Sequence, residues 1–245
     1  MTGTREFYDD AYTSHDPAEA ERLGRWRALG ARNKADHAMT LCERAGVRPA
    51  SIVEIGCGDG SLLAELAARG LAPILDGFEI SPKAAGFARD RGVARRVEAY
   101  DGEHIPAPDG EYDLAVLSHV LEHVRDPAAL LKEGARVAQH VLIEVPLEAN
   151  WSARRPAKRA EAARIGHLHE LGRDDVRGWL AAARLQARAE LADPLPYEHH
   201  AFFGNQPKAA AKWAVRSAAH RLAPGAAERL LFTVHYAVIS APAAS

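Results

Sequence analysis

The chain has 245 residues, enough for one large domain with insertions and a sizeable buried core. With 31 Lys and Arg against 33 Asp and Glu, its net charge of -2 argues against a dedicated polyanion binder, whose affinity rests on many basic contacts to phosphates. Cys42 and Cys57 build neither a disulfide framework nor a CxxC zinc site, no basic-then-apolar leader opens the sequence, and no run of about 18 apolar residues occurs, so a cytoplasmic protein without membrane spans is expected.

Residues 1–15 are polar and aromatic (Phe7, Tyr8, Tyr12) without a period. Asp16-Pro17 reads as an N-cap followed by the first helical residue, and the helix runs through Trp26, Leu29, Met39 and Leu41 until Gly46 stops it. Short apolar runs then alternate with helices. Strands are predicted at 51–55, 74–80, 95–100, 112–118 and 141–145, with helices at 61–69, 82–91 and 127–138. Such alternation implies right-handed crossovers and a parallel sheet with helices on both faces. After Pro146 the rhythm breaks. Residues 147–170 are polar, basic and rich in Ala; a helix at 174–183, a strand at 186–191, a loop at 193–206, a helix at 208–221 and a final strand at 231–239 follow. The expected division is a helical segment or lid at 1–48 and a main domain at 49–245, whose insertions at 147–170 and 193–230 form a cap over the substrate.

The informative stretch is VEIGCGDG, Val53 to Gly60. A strand ends, Gly56, Gly58 and Gly60 follow at alternate positions, and a helix starts. Glycine serves where the backbone turns sharply and where a ligand lies against it, and the helix start offers free N–H groups. The third glycine comes one residue too early for the dinucleotide pattern GxGxxG, and Glu54 at the strand end suits an ammonium group better than a pyrophosphate. Glu79 lies 19 residues after Gly60, at the end of the second strand, where an acid accepts from ribose hydroxyls. Asp101 and Ser118 close the third and fourth strands. All four positions fall at carboxyl ends of parallel strands, where open α/β sheets bind ligands.

In that order, VEIGCGDG, GFEISPKA, DGEHIPAPDGEYD and SHVLEHVRDP resemble the class I S-adenosylmethionine-dependent methyltransferases, and within them the small-molecule-type branch, over about residues 50–146. The resemblance implies a Rossmann-like, mostly parallel α/β sheet of seven strands, order 3-2-1-4-5-7-6, with strand 7 antiparallel. It implies S-adenosylmethionine as cofactor. Gly56, Cys57, Gly58 and Gly60 would lie along its methionine portion with Glu54 near the ammonium, and Ser118 would offer its carbonyl there. Glu79 would hold the ribose, Ile80 would pack on the adenine, Asp101 would meet the adenine amino group and Gly102 would leave room for the ring. Tyr8 or Tyr12 would close over the cofactor.

The acceptor side rests on histidines, of which there are 12. His119 directly follows Ser118 and faces the expected cleft; His123 lies one helical turn on, with a structural hydrogen bond as its alternative. His167 and His169 follow the irregular 147–166 segment, as a substrate contact or as a surface turn. An O–H acceptor calls for a general base, and an imidazole suits that work, with His119 or His167 first and His169 and His123 behind. Phe202, Phe203 and Trp213 either line an acceptor pocket or anchor the cap. HLH at 167–169 and HH at 199–200 invite a metal reading, but no carboxylate motif specifies an ion, and none is expected. The leading function is methyl transfer to a small molecule. The alternatives are a methyltransferase for RNA or protein and a non-catalytic S-adenosylmethionine-binding protein; oligomeric state is left open.

Overall fold

The computed structural model describes Asp9 and residues 16–202, 204–230 and 232–243. The expectations placed on Tyr8, Tyr12 and Phe203 lie outside the described residues. The elements are α1 (Pro17–Ala45), β1 (Ser51–Ile55), α2 (Ser61–Ala68), β2 (Ile74–Glu79), α3 (Pro82–Asp90), β3 (Arg96–Ala99), β4 (Tyr112–Ser118), a 3-10 turn (Leu121–His123), α4 (Pro127–Val137), β5 (Ala138–Leu147), α5 (Pro156–Arg164), α6 (Arg173–Ala182), β6 (Leu185–Asp193), α7 (Tyr197–Phe202), α8 (Gln206–Leu222), α9 (Pro224–Leu230) and β7 (Val234–Pro242). The seven strands form one sheet, β3-β2-β1-β4-β5-β7-β6. Strands 1 to 5 pair in parallel, and β7 runs antiparallel between β5 and β6. This is the expected order.

Alternate side chains build two cores, as the pleat requires. Ile52, Leu114, Val116, Leu142 and Ile239 face one side, where α1, α2 and α3 cover them through residues such as Leu41, Leu63 and Ala88. Val53, Ile55, Leu117, Ile143 and Val238 face the other, against Leu130 and Leu131 of α4 and Val176 and Leu180 of α6. Each such aliphatic side chain, fully buried, stabilises the fold by about 1.5–3 kcal/mol.

Local chemistry sets the ends. Asp16 accepts from the Ala18 N–H ahead of Pro17, and Gly46 closes α1 in the left-handed region (φ +68°) while the Val47 N–H donates to the Cys42 carbonyl. Ser81 caps α3 and Asp126 caps α4, each with proline next. The buried face of α1 carries Ala31, Ala35 and Ala38, which let the helix approach the sheet closely.

Three expectations shift. The fifth strand is longer than 141–145, because ladder pairing with β4 and β7 recruits the polar residues around its apolar centre. The 193–206 loop contains α7, and the 147–170 segment contains α5. The last strand begins at Val234; Phe232, ahead of it, is buried in the core beneath the Arg216 guanidinium. Among the described residues no helix is long and apolar enough to cross a membrane.

Candidate active site

The turn after β1 is built on three consecutive alternate glycines in the left-handed region, with φ of +76° at Gly56, +54° at Gly58 and +73° at Gly60. A Cβ on Gly56 would stand 2.5 Å from Val120 Cγ2, so both conformation and space require glycine there. The Gly56 N–H donates to the Phe78 carbonyl, which ties the turn to β2. Cys57 is buried and packs beside Gly77, where any Cβ would meet its Sγ at 2.8 Å. Burial pushes its thiol well above the ordinary range, so the residue fills the turn rather than reacting.

Glu79 is buried at the end of β2. One carboxylate oxygen accepts from the Gly58 N–H at 2.8 Å and the other from the Ser81 N–H at 3.0 Å. Burial raises its pKa against those hydrogen bonds. Each oxygen keeps a further lone pair. Ser81 in turn donates to Asp9, the described residue of the N-terminal segment. Beyond Glu79, Ile80 comes within 3.2 Å of where a Gly102 Cβ would stand, so Gly102 (φ +90°) leaves a slot over Ile80. Asp101 is exposed, and its Oδ1 caps the Glu103 and His104 N–H groups. Those two bonds hold its carboxyl below the usual range.

A cavity of about 340 Å³ opens on the other side of the glycine turn. Its walls include Glu54, Gly56, Cys57 and Gly58 from the turn, Ser118 and His119 from the end of β4, Trp26, Arg27 and Lys34 from α1, Leu195 and His199 from the 193–230 segment, and His235 from β7. Trp26, Gly30 and Lys34 recur every four residues, so one face of α1 forms the wall. Gly60, Glu79, Ile80, Asp101 and Gly102 do not line this cavity; they sit beyond the turn. Arg27 donates to Asp59 at 2.8 Å, and Arg91 meets the same carboxylate, which clamps α1 to the start of α2.

Glu54 is 4% exposed, and its Oε2 has no hydrogen-bond partner among the described residues. Burial pushes its carboxyl up to about 8, against the attraction of Lys34. A buried carboxylate with one such oxygen beside a glycine cradle fits a ligand that brings a positive charge. The amino-acid end of S-adenosylmethionine meets that requirement, and the residues present therefore fit this cofactor.

At the far end of the cavity His119 adopts φ +57°, rare for a residue with a Cβ, and its N–H donates to the Glu144 carbonyl at 2.8 Å. Its ring lies between Glu122 (3.3 Å) and Glu144 (3.4 Å) and edge-on to His235 (4.5 Å between centroids). His37 of α1 bridges Glu144 at 3.0 Å and Asp193 at 2.9 Å. Burial opposes charge on His37, but those two carboxylates outweigh it and raise the imidazole to about 9.

Of the four histidines considered as a general base only His119 lines the cavity; His199, expected with His200 to border the acceptor side, lines it as well. His123 and His167 stack edge-on at 4.9 Å in a separate cluster, bonded to the Gly166 carbonyl and Glu148; His169 bonds the Val124 carbonyl against Trp179. Phe202 anchors α7 on Trp26 at 5.2 Å and Trp213 stacks on Tyr197, so neither lines the cavity. Lys34, His37, Glu144 and His235 were not singled out by sequence. The one legible signal among them was Glu144, a charge inside the apolar run Val141–Val145.

The order of the strands and the glycine turn at the switch between β1 and β4 define a class I methyltransferase fold. Residues 20–190 match the methyltransferase domain family, and the chain belongs to that family. Among curated relatives it is 27% identical to ajmaline N-methyltransferase of Rauvolfia serpentina over 62% of this chain and 53% of that one. It is 29% identical to the ubiquinone biosynthesis O-methyltransferase of Aromatoleum aromaticum over 51% and 58%. The chain thus spans about half the length of the curated relatives it matches. A solved SAM-dependent methyltransferase of Thermotoga maritima, described as a possible histamine N-methyltransferase, superposes with a TM-score of 0.63 at 16% identity, covering 98% of this chain and 99% of that one. That likeness shows the fold alone.

Proposed function

We propose that the protein transfers a methyl group from S-adenosylmethionine to a small-molecule acceptor in the cytoplasm. The observation that carries this reading is the buried Glu54 carboxylate, whose Oε2 has no partner among the described residues, at a cavity walled by the glycine turn. When bound, the cofactor supplies an electrophilic methyl group on a sulfonium whose leaving group is a neutral thioether. The chain then has to bind, align and keep water out. Gly56, Cys57 and Gly58 carry the methionine portion, Glu54 receives its ammonium, and the Ser118 carbonyl joins it. Glu79 takes the ribose, Ile80 and Gly102 form the adenine slot, and Asp101 accepts from the adenine amino group. The acceptor occupies the end of the cavity bounded by Lys34, His119, His199 and His235, with the 193–230 insertion as its cap. His123, His167 and His169 are assigned a structural role outside it. The N- and O-methyltransferase names of the relatives support an acceptor of metabolite size. Two buried free thiols support a reducing compartment.

Calorimetric titration separates cofactor classes. S-adenosylmethionine should bind selectively over NAD, and Glu79→Ala should weaken it about 10–100-fold, the worth of charge-assisted hydrogen bonds. Equal weak binding of both compounds would overturn the assignment. A labelled-methyl assay over metabolite, RNA and protein pools then tests the acceptor class: transfer to RNA or protein alone, or to nothing at all, would reject the small-molecule reading.

A further inference from the structure

We infer that His119, Glu144 and His235 form a binding site for one divalent transition-metal ion, at which the acceptor is held through an oxygen atom. The second half of this inference rests on the proposed reading of the cavity as the acceptor side; the first half stands on geometry alone.

Three strands that neighbour one another in the sheet deliver the donors. His119 follows β4, Glu144 lies on β5 opposite Ser118, and His235 lies on β7 opposite Pro146. His119 Nε2 stands 3.4 Å and His235 Nδ1 3.1 Å from the same carboxylate oxygen, Glu144 Oε1, and all three atoms lie within 4.8 Å of one another. With bonds of about 2.1 Å, separations of 3.1 and 3.4 Å subtend about 95–110° at a common ion, angles that suit octahedral or tetrahedral coordination.

Each of the three atoms is buried, and none has a hydrogen-bond partner among the described residues. Three buried polar atoms brought together without a hydrogen bond of good geometry among them carry a desolvation cost. One cation satisfies all three at once. The surroundings hold the ligands as metal ligands are usually held. The second oxygen of Glu144 is bonded by His37 at 3.0 Å, and the other ring nitrogen of His119 stands 3.3 Å from Glu122. The left-handed backbone at His119 (φ +57°) is a local strain that persists only where the surroundings over-determine it.

Two imidazoles and one carboxylate suit zinc, iron(II), cobalt(II) or manganese(II) rather than the all-oxygen shells of calcium or magnesium. Three protein ligands leave coordination positions open. His119 and His235 line the cavity, so an ion held between them adjoins it. The ligand that completes the shell there is an oxygen donor, a hydroxyl or carboxylate, whose acidity the ion raises and whose anionic form Lys34 on the same wall favours. A second trio, Glu122, His123 and His167, lies outside the cavity and is the competitor the test must separate.

Cobalt(II) alone, added to metal-free full-length protein, is the probe, read by equilibrium dialysis and by visible ligand-field bands. One equivalent should bind at about a micromolar or tighter. His235→Ala and Glu144→Gln should each remove that equivalent, with affinity falling by more than about 100-fold, while His167→Ala keeps it. Titration of S-adenosylhomocysteine into the His235→Ala protein monitors the fold independently of the metal. Glu144→Gln serves as the isosteric variant should removal of the imidazole unfold the chain. No bound cobalt at about 100 micromolar, or binding lost with His167→Ala and retained with His235→Ala, would overturn the site. Cobalt binding without S-adenosylhomocysteine binding would instead reject the cofactor reading and leave the metal site standing.

Discussion

With Glu54 in its proposed place at the ligand ammonium, cofactor binding should involve a proton. Burial pushes its carboxyl up to about 8 in the free protein, so below that pH it is mostly neutral. A ligand ammonium requires the ionised form. Binding then releases a proton, and affinity should climb by about tenfold per pH unit toward about pH 8 and level off above it. Calorimetry near pH 6.5 in buffers of different ionisation enthalpy reads this release directly. Glu54→Gln should abolish the buffer dependence and weaken binding about tenfold or more. Enthalpies that do not change with buffer would take the ammonium away from Glu54. For stability without ligand the sign is opposite. The acid is raised in the fold, so its contribution is lost as pH climbs from the unfolded value of 4.5 to about 8.

Among the elements, β2, β3 and β4 are locked at one end by a single buried acid. Asp76 is fully buried and accepts from Arg95, Arg96 and the Tyr112 hydroxyl. Burial opposes its charge, but hydrogen bonds from Arg95 and Tyr112 and the two guanidinium charges outweigh it and hold the carboxyl below its ordinary 3.8. The stability it contributes is therefore present above that value and is lost as pH falls through the lower folded value. Asp76→Asn should cost about 3 kcal/mol at pH 7, near the low end for a broken buried pair because Arg95 is half exposed. Chemical denaturation at both pH values checks this: the gap between wild type and variant should close in strong acid, and a gap unchanged with pH would contradict the lock. Such elements were legible in the sequence where local chemistry bounds them. β1 and β4 start and stop where apolar alternation meets glycine or polar punctuation, and the glycine turn is a contiguous motif that carries its own geometry. α7 was not legible, because six residues between prolines show no period and Trp26 of a distant helix holds them in place. β5 outgrew its apolar centre because ladder pairing, not hydrophobicity, sets its length. The histidine end of the site was hidden for a related reason. His37 and Glu144 meet across 107 residues of sequence, and no local pattern announces a contact of that kind.

For the molecule as a whole, the long first helix is a wall of the site as well as a cover for the sheet. It packs on α2, β6, β7 and α7 and contributes Trp26, Arg27 and Lys34 to the cavity. Ligand binding should therefore slow hydrogen exchange in two separated stretches, residues 56–64 and residues 26–34, and leave α9 unchanged. Exchange followed with and without S-adenosylhomocysteine tests this, and protection confined to 56–64 would show that α1 is a cover only. The antiparallel last strand has its own consequence for how the protein comes into being. β7 slots between β5 and β6, and Ser240 reaches back to the Val141 carbonyl across 99 residues. A ribosome delivers the glycine turn, Glu54 and Glu79 before His235. The half of the pocket proposed to hold the cofactor is thus encoded in residues made before the half proposed to receive the acceptor. β7 has to enter between β5 and β6, and a non-local pairing of that kind is a slow step at which chaperones or proteolysis act.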